Sequence, residues 1–249
     1  MRGKHRVDRG LFNMTITIRP GVKLSPGTTV KVPLLPLTTD GLVLHYDFSS
    51  PACYTTGASV TDLSTATNNG SVVNDYGHIS YVSSGQASYF NWDSSEGGGG
   101  NANAFGGSIW TNSTNVYKDF TIILQPDFTM SGMGGIICVP GDKSLRVYNN
   151  GWTFPNPGND DDWAAGTYGA TTFYVNGQVS DQMLTGWNII GGATTNPAFS
   201  SAKQLYIGTS GYGNRHMQGK IAVVLMYNRV LTQQEHLVNY NHYKVRFGL

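Results

Sequence analysis

Apolar residues in this chain come in short runs, and only once in a helical rhythm. In "MTITIRPGVKLSPGTTVKV", residues 14–32, Ile16/Ile18 and Val30/Val32 alternate with Thr or Lys, the period-two pattern of half-buried strands. Pro20-Gly21 and Pro26-Gly27 each suit the centre of a type II turn, where Pro sets φ and Gly takes a positive φ. From Gly41 onward, runs such as "LVLHYDF", "ISYVS", "FTIILQ", "GGIICV", "TTFYVNG" and "KIAVVLMY" are separated by polar turn clusters. Such a series, with no helix-length periodic segment between the runs, predicts an all-β, two-sheet antiparallel jelly-roll sandwich and excludes a parallel α/β sheet.

The exception is "GKIAVVLMYNRVLTQQEHLVNY", residues 219–240, an apolar run that hands over at Asn228-Arg229 to a helix signal. Thr232 followed three residues later by Glu235 is a capping box. A helix of about two to three turns is expected from there, burying Leu237 and Tyr240 against the sandwich.

The charge distribution divides the chain. Residues 1–39 carry seven Lys/Arg (Arg2, Lys4, Arg6, Arg9, Arg19, Lys23, Lys31) against Asp8, a net +6; with +1 overall, −5 remains on residues 40–249. The expected domains are a basic anchoring arm, 1–39, and a sandwich, 40–249. An arm of this charge has three readings: nucleic-acid contact, docking on an acidic protein surface, or a disordered tail. Docking is preferred, with Ile16 and Ile18 pairing as a strand on a neighbour.

No apolar run is long enough to cross a bilayer, and the basic N-terminus lacks the apolar stretch of a secretory leader. Cys53 and Cys138 are expected free and buried rather than bridged.

The chemistry on offer is sparse. Asp160, Asp161 and Asp162 in "NPGNDDDW" are oxygen donors of the kind calcium takes, without EF-hand spacing; a solvated loop is the preferred reading. The six histidines do not cluster, and His236 and His242 fall on different helix faces, so structural or surface histidines are expected rather than a metal site. "GTSGYGNR" has no helix after it, which makes it a hairpin and not a phosphate cradle. Trp92, Trp110, Trp152, Trp163, Tyr168 and Tyr212 all neighbour Gly, Asn or Asp. Aromatic faces beside amides and carboxylates suit sugar rings, although large sandwiches also bury tryptophans routinely.

Three segments together carry a resemblance: "TTFYVNGQ" (171–178), "LYIGTSGYGNRHMQGKIAVVLMYNRVLTQQE" (205–235) and "GLVLHYDFSSPACYTTGASVTDLSTATNNGSVVN" (41–74). They resemble the laminin-G-like branch of the concanavalin-like lectin and glucanase superfamily. The opening Gly-Leu-Val-Leu, with Asp62-Leu63-Ser64 and Asn68-Asn69-Gly70, resembles the variant found in tailed-bacteriophage virion proteins, and the arm is similar to cyanophage virion proteins. Two departures stand out: Tyr89-Phe90-Asn91-Trp92-Asp93 replaces the family's Phe-Asp-Gly, and Leu124 replaces its tryptophan in "FTIILQP".

A glucanase of this superfamily would need two glutamates on one strand, about 5–5.5 Å apart across the sugar. This chain has two glutamates, Glu96 in a Gly-rich loop and Glu235 at the helix cap, so a non-enzyme is expected. The resemblance implies a virion structural protein at the particle surface, as capsid decoration or on neck or tail. It would be made in the host cytoplasm, anchored by the arm, and would display a lectin-like sandwich to host-surface glycans. A soluble lectin is the rival reading and a glycoside hydrolase the more distant one. The partners implied are other virion proteins and cell-surface polysaccharide, neither membrane nor nucleic acid, with oligomerisation inside the assembly. No cofactor is expected, calcium being the one candidate.

Overall fold

The computed structural model describes residues 36–74, 78–93, 107–128, 133–139, 144–148, 172–180, 182–193, 202–209 and 216–249. Residues 36–249 form one compact unit. The arm residues Arg2, Lys4, Arg6, Arg9, Ile16, Ile18, Arg19 and Lys23 lie outside the described residues.

Among the described residues the strands are β1 (Leu42–Asp47), β2 (Ser59–Val60), β3 (Gly70–Val73), β4 (Ile79–Val82), β5 (Tyr89–Trp92), β6 (Ser108–Thr111) and β7 (Asp119–Pro126). They continue with β8 (Met133–Cys138), β9 (Ser144–Tyr148), β10 (Phe173–Val175), β11 (Gln178–Val179), β12 (Asn188–Ala193), β13 (Tyr206–Ile207) and β14 (Gly219–Tyr227), before the helix α1 (Gln233–Phe247). An eight-stranded sheet A runs β11-β10-β12-β7-β14-β5-β4, with β1 also on β14; a six-stranded sheet B runs β2-β3-β6-β13-β8-β9. The pairings among these named strands are all antiparallel. The all-β sandwich expected from the apolar runs is the fold.

Strand β14 organises sheet A. It pairs along its length with β7, while β5 takes the first part of its other edge and β1 the second. A register shift between Ile221 and Val223 leaves Ala222 and Val223 both on the helix side of the strand. Ile221, Val224 and Met226 join the core between the sheets, with Phe48, Phe90, Ile122 and Ile207. Val223, Leu225 and Tyr227 turn to the other side, where Tyr243 and Phe247 of α1 cover them. A strand buried on both faces has no polar alternation, which is why this run reads as continuously apolar.

The helix is longer than expected, 15 residues, or about 22 Å at 1.5 Å per residue. Its capping box forms: Glu235 N–H donates to Thr232 Oγ1 at 3.3 Å, and Thr232 N–H donates to Glu235 Oε2 at 2.8 Å. The buried face is His236, Asn239, Tyr243 and Phe247, with Leu237 and Tyr240 only half-buried. Two polar residues occupy the centre of this face because sheet A meets them with polar partners. Asn239 donates to Thr121 Oγ1 and to the Tyr227 hydroxyl, both at 3.0 Å, and its carbonyl accepts from Thr38 N–H at 3.1 Å. The Tyr227 hydroxyl in turn donates to Thr38 O. Residues 36–39, assigned to the arm from the sequence, are thus fastened into the sandwich.

The Tyr-Val-Asn-Gly segment forms the β10–β11 hairpin, with Asn176 (φ 52) and Gly177 (φ 77) at its two-residue loop, as a type I′ turn requires. At Gly177 a Cβ would lie 2.7 Å from the Tyr240 ring, so this turn and α1 pack in contact.

Asn239→Ala is expected to leave the buried Thr38 N–H and the Thr121 and Tyr227 hydroxyls short of a partner. We expect roughly 2–3 kcal/mol lost in urea unfolding. The exposed-face control Gln234→Ala should leave the midpoint unchanged.

Candidate functional site

Among the described residues, two regions bring polar chemistry together. The first lies between sheet A and α1. Asp119 is fully buried; its Oδ1 accepts from Phe120 N–H at 2.7 Å and its Oδ2 from Leu231 N–H at 2.8 Å. His236 Nε2 stands 3.4 Å from Asp119 Oδ1, and its ring stacks on Tyr174 with centroids 4.3 Å apart. Each group here is spent on holding the helix: Asp119 ties down the β14–α1 connection, and His236 fills the space above Gly191. His236 is thus a buried residue of the sheet–helix interface.

Further along the helix, Arg246 binds Asp47 with two bonds of 2.6 Å and Ser49 Oγ at 2.7 Å. Beside it, His45 Nε2 lies 3.2 Å from the Tyr243 hydroxyl. Burial lowers the His45 pKa below 6.5, outweighing the pull of Asp47 and Asp62. Burial likewise raises the Tyr243 pKa, so its hydroxyl stays protonated, and the imidazole tautomer of His45 sets which of the two donates.

The second region is the outer face of sheet B, which α1 does not cover. Strand alternation defines that face: Ile109, Ile207, Leu145 and Val147 enter the core, which turns Trp110, Tyr206 and Arg146 outward. Cross-strand register then sets Ser59, Ser71, Trp110, Tyr206 and Cys138 in one row across β2, β3, β6, β13 and β8. The row has two halves. Tyr206 and Cys138 are buried, as is Arg146 on the same face, whereas Trp110 and Ser71 are partly exposed and Ser59 is exposed.

Trp110 stands at the boundary, its ring stacked on Tyr206 with centroids 4.7 Å apart and planes 14° from parallel. Its indole N–H donates to Ser108 Oγ at 2.5 Å, which fixes the ring's rotation. Next to it, Ser71 Oγ donates to Oδ1 of the exposed Asn112 at 2.9 Å.

A buried carboxylate delivers this open half. Asp62 accepts from His45 N–H at 2.8 Å, Ser64 N–H at 2.9 Å, Ser64 Oγ at 2.6 Å and Asn68 N–H at 2.8 Å. Asn69 Oδ1 accepts from Asp62 N–H, and Asn69 O accepts from Asn112 N–H at 2.7 Å. Asn68 reaches the Tyr117 hydroxyl and Ser113. The Asp62-Leu63-Ser64 and Asn68-Asn69-Gly70 pair is thus a structural knot that holds β3 and residue 112 beside Trp110.

The aromatic candidates separate. Trp92 is 2% exposed, its N–H donates to Gly107 O at 2.7 Å, and its ring covers Gly208, where any Cβ would overlap the indole. It is a core residue packed between the sheets, which corrects its place among the sugar-stacking candidates. Trp110 keeps that place. Trp152, Trp163, Tyr168 and Tyr212 lie outside the described residues, as do Asp160, Asp161 and Asp162. Among the described residues no group of three or more metal-ligating side chains forms. Cys53 and Cys138 are free and buried; burial pushes the Cys53 thiol up to about 12 and raises that of Cys138 as well, which holds both in the protonated form. Tyr206, Ser71 and Asn112 were missed because their meeting with Trp110 depends on strand register.

No protein-family model matches the chain, and a search of characterised proteins by sequence finds no match. Solved structures do match in fold. Domain 4 of AbnA, a GH43 extracellular arabinanase from Geobacillus stearothermophilus solved with arabinotriose, is 14% identical with a TM-score of 0.50, over 79% of this chain and 96% of that one. A mutant of Trypanosoma rangeli sialidase displaying trans-sialidase activity is 15% identical with a TM-score of 0.50, over 85% of this chain and 34% of that one. The binding domain of botulinum neurotoxin serotype D is 13% identical with a TM-score of 0.41, over 81% of this chain and 52% of that one. The chain spans about a third of the length of the sialidases it matches.

The two likenesses at a TM-score of 0.50 support the class as an all-β sandwich. They also correct the expectation of a non-enzyme: chains of this fold are parts of glycoside hydrolases. A missing glutamate pair, argued from one hydrolase geometry, does not set this chain apart from them.

The lowered His45 pKa gives a pH dependence. The unfolded chain binds the His45 proton more tightly than the folded one, so stability is full above about pH 6.5 and falls as pH drops toward the folded pKa. Urea midpoints at pH 7.5 and 5.5 should show this loss, and His45→Gln should make it smaller.

Proposed function

We propose that this protein is a carbohydrate-binding β-sandwich of the laminin-G-like kind, carried at the surface of a tailed-bacteriophage virion by its basic N-terminal arm. The observation that carries the binding reading is the open half of sheet B. Trp110 is held at a fixed angle by Tyr206 and Ser108, is partly exposed, and is bordered by the polar side chains of Ser71 and Asn112. An aromatic plane beside convergent hydroxyl and amide groups is the composition a sugar ring needs. The virion reading rests on the sequence: the +6 arm ahead of a body of opposite net charge, and the likeness of the opening segments to phage structural proteins. The arm's cations would dock on an acidic surface of a capsid, neck or tail protein.

Two experiments test these parts. Titration calorimetry of the full chain with arabinotriose, the sugar held by the arabinanase domain of the same fold, and with purified bacterial surface polysaccharides reads the binding, while product chromatography of the same samples reads hydrolysis. Binding is expected, weakened roughly tenfold or more by Trp110→Ala, the loss of one well-stacked contact; no binding to any probe would overturn the glycan reading. Co-sedimentation with particles lacking the protein reads the anchor. Wild type should bind and be released by salt, and replacing Arg2, Lys4, Arg6 and Arg9 together with Ala should abolish binding. Sugar binding without particle binding would favour a soluble lectin.

A further inference from the structure

The two halves of α1 are held to sheet A by contacts of different kinds. The first half is fixed by the capping box, by Asn239 and by His236 beside the carboxylate of Asp119. The Arg229 guanidinium, hydrogen-bonded to Glu235, holds that carboxyl down at about 2, so the cap keeps its charge in mild acid. The end of the helix is held to β1 instead. His45 and Asp47 lie opposite Leu225 and Val223 of β14, which face the helix; from this row His45 meets the Tyr243 hydroxyl and Asp47 binds Arg246. Phe247 completes the contact against Trp187, with ring centroids 5.0 Å apart.

A proton on His45 acts on both polar contacts. Imidazolium has donors only, so the buried Tyr243 hydroxyl can then accept from it but not donate to it. The new charge also stands near Arg246 and His242, and the two carboxylates in its surroundings are already engaged. Asp62 has its four donors, and Asp47 holds Arg246 and the N–H of Ser49 at 3.0 Å. A charged His45 therefore competes with Arg246 for Asp47, the anion that anchors the helix end. Strand β1 is not the part that yields. His45 N–H is bonded to Asp62 and His45 O accepts from Leu63 N–H at 2.9 Å, whereas Tyr243 and Arg246 reach β1 through their side chains.

We propose that residues 243–249 form an acid-sensitive latch: protonation of His45 frees the end of α1 from β1 while residues 233–239 stay docked, uncovering Trp187 and the outer side of β14. Burial, the largest influence on His45, lowers its pKa below 6.5 against the pull of Asp47 and Asp62. The freed form takes the proton more readily than the docked one, so the latch is closed above about pH 6.5 and opens more often as pH falls toward the docked-state pKa.

Amide hydrogen exchange of the full chain in sub-denaturing urea tests this, because a local opening exposes little surface and responds little to urea. After correction for intrinsic rates, amides 243–247 should exchange up to about tenfold faster at pH 5.5 than at pH 7.5, the limit for one proton, with little dependence on urea. Amides 236–239 should exchange more slowly and accelerate with urea. His45→Gln keeps a polar side chain beside Tyr243 without the titrating proton and should remove the acceleration by acid, while His242→Gln should retain it. Wild-type exchange that rises with urea in parallel along both halves of α1 would overturn the latch without recourse to a variant. Acid acceleration that survives His45→Gln, or that His242→Gln removes, would assign the proton to another group and overturn it as well.

Discussion

The arrangement depends on the docking of one helix against one sheet. Sheet A is apolar on both faces around β14 and β7, so its outer face must be covered. The cover is a helix whose buried stripe is half polar: His236 faces Asp119, and Asn239 bridges Thr121, Tyr227 and Thr38. Apolar burial by Tyr243 and Phe247 supplies the driving force, and the polar groups set register, because a shift of one residue would orphan several of them in a dry interface. The same contacts fasten residues 36–39, where the basic arm joins the sandwich.

Closing sheet A leaves sheet B as the face on which a ligand site can be built. Its outer side does not reproduce the apolar surface of sheet A. One aromatic stack, Trp110 on Tyr206, gives way to serines and an asparagine toward β2, and the Asp62 knot holds the strands that carry them. One buried carboxylate with four donors thus acts on the site from a distance, by fixing where β3 and residue 112 lie. The fold and the proposed site are linked through this loop rather than through the core.

Much of this was legible in the residues, and the remainder had physical reasons to be hidden. The apolar run of β14, the Thr232–Glu235 cap and the Asn176-Gly177 turn are local patterns, and each formed where its chemistry placed it. The full length of α1 was not legible. Its buried face includes His236 and Asn239, which look like solvent positions until strands more than a hundred residues away supply partners. Trp92 and Trp110 have similar neighbours in sequence and opposite fates, since one points between the sheets and the other outward. Ser71 and Asn112 drew no notice because only the β3–β6 register brings them to Trp110. The expectation of a non-enzyme rests on one catalytic geometry, whereas the fold is shared with parts of glycoside hydrolases.

The central claim is that ligands meet the open half of sheet B while α1 serves only to close sheet A. Amide hydrogen exchange of the full chain, with and without saturating oligosaccharide, tests it most directly. The account predicts added protection at residues 70–73 and 108–112, with α1 and β7 unchanged. Protection confined to α1, or to the β10–β11 hairpin packed against it, would contradict the account and move the site to the face assigned here to structure.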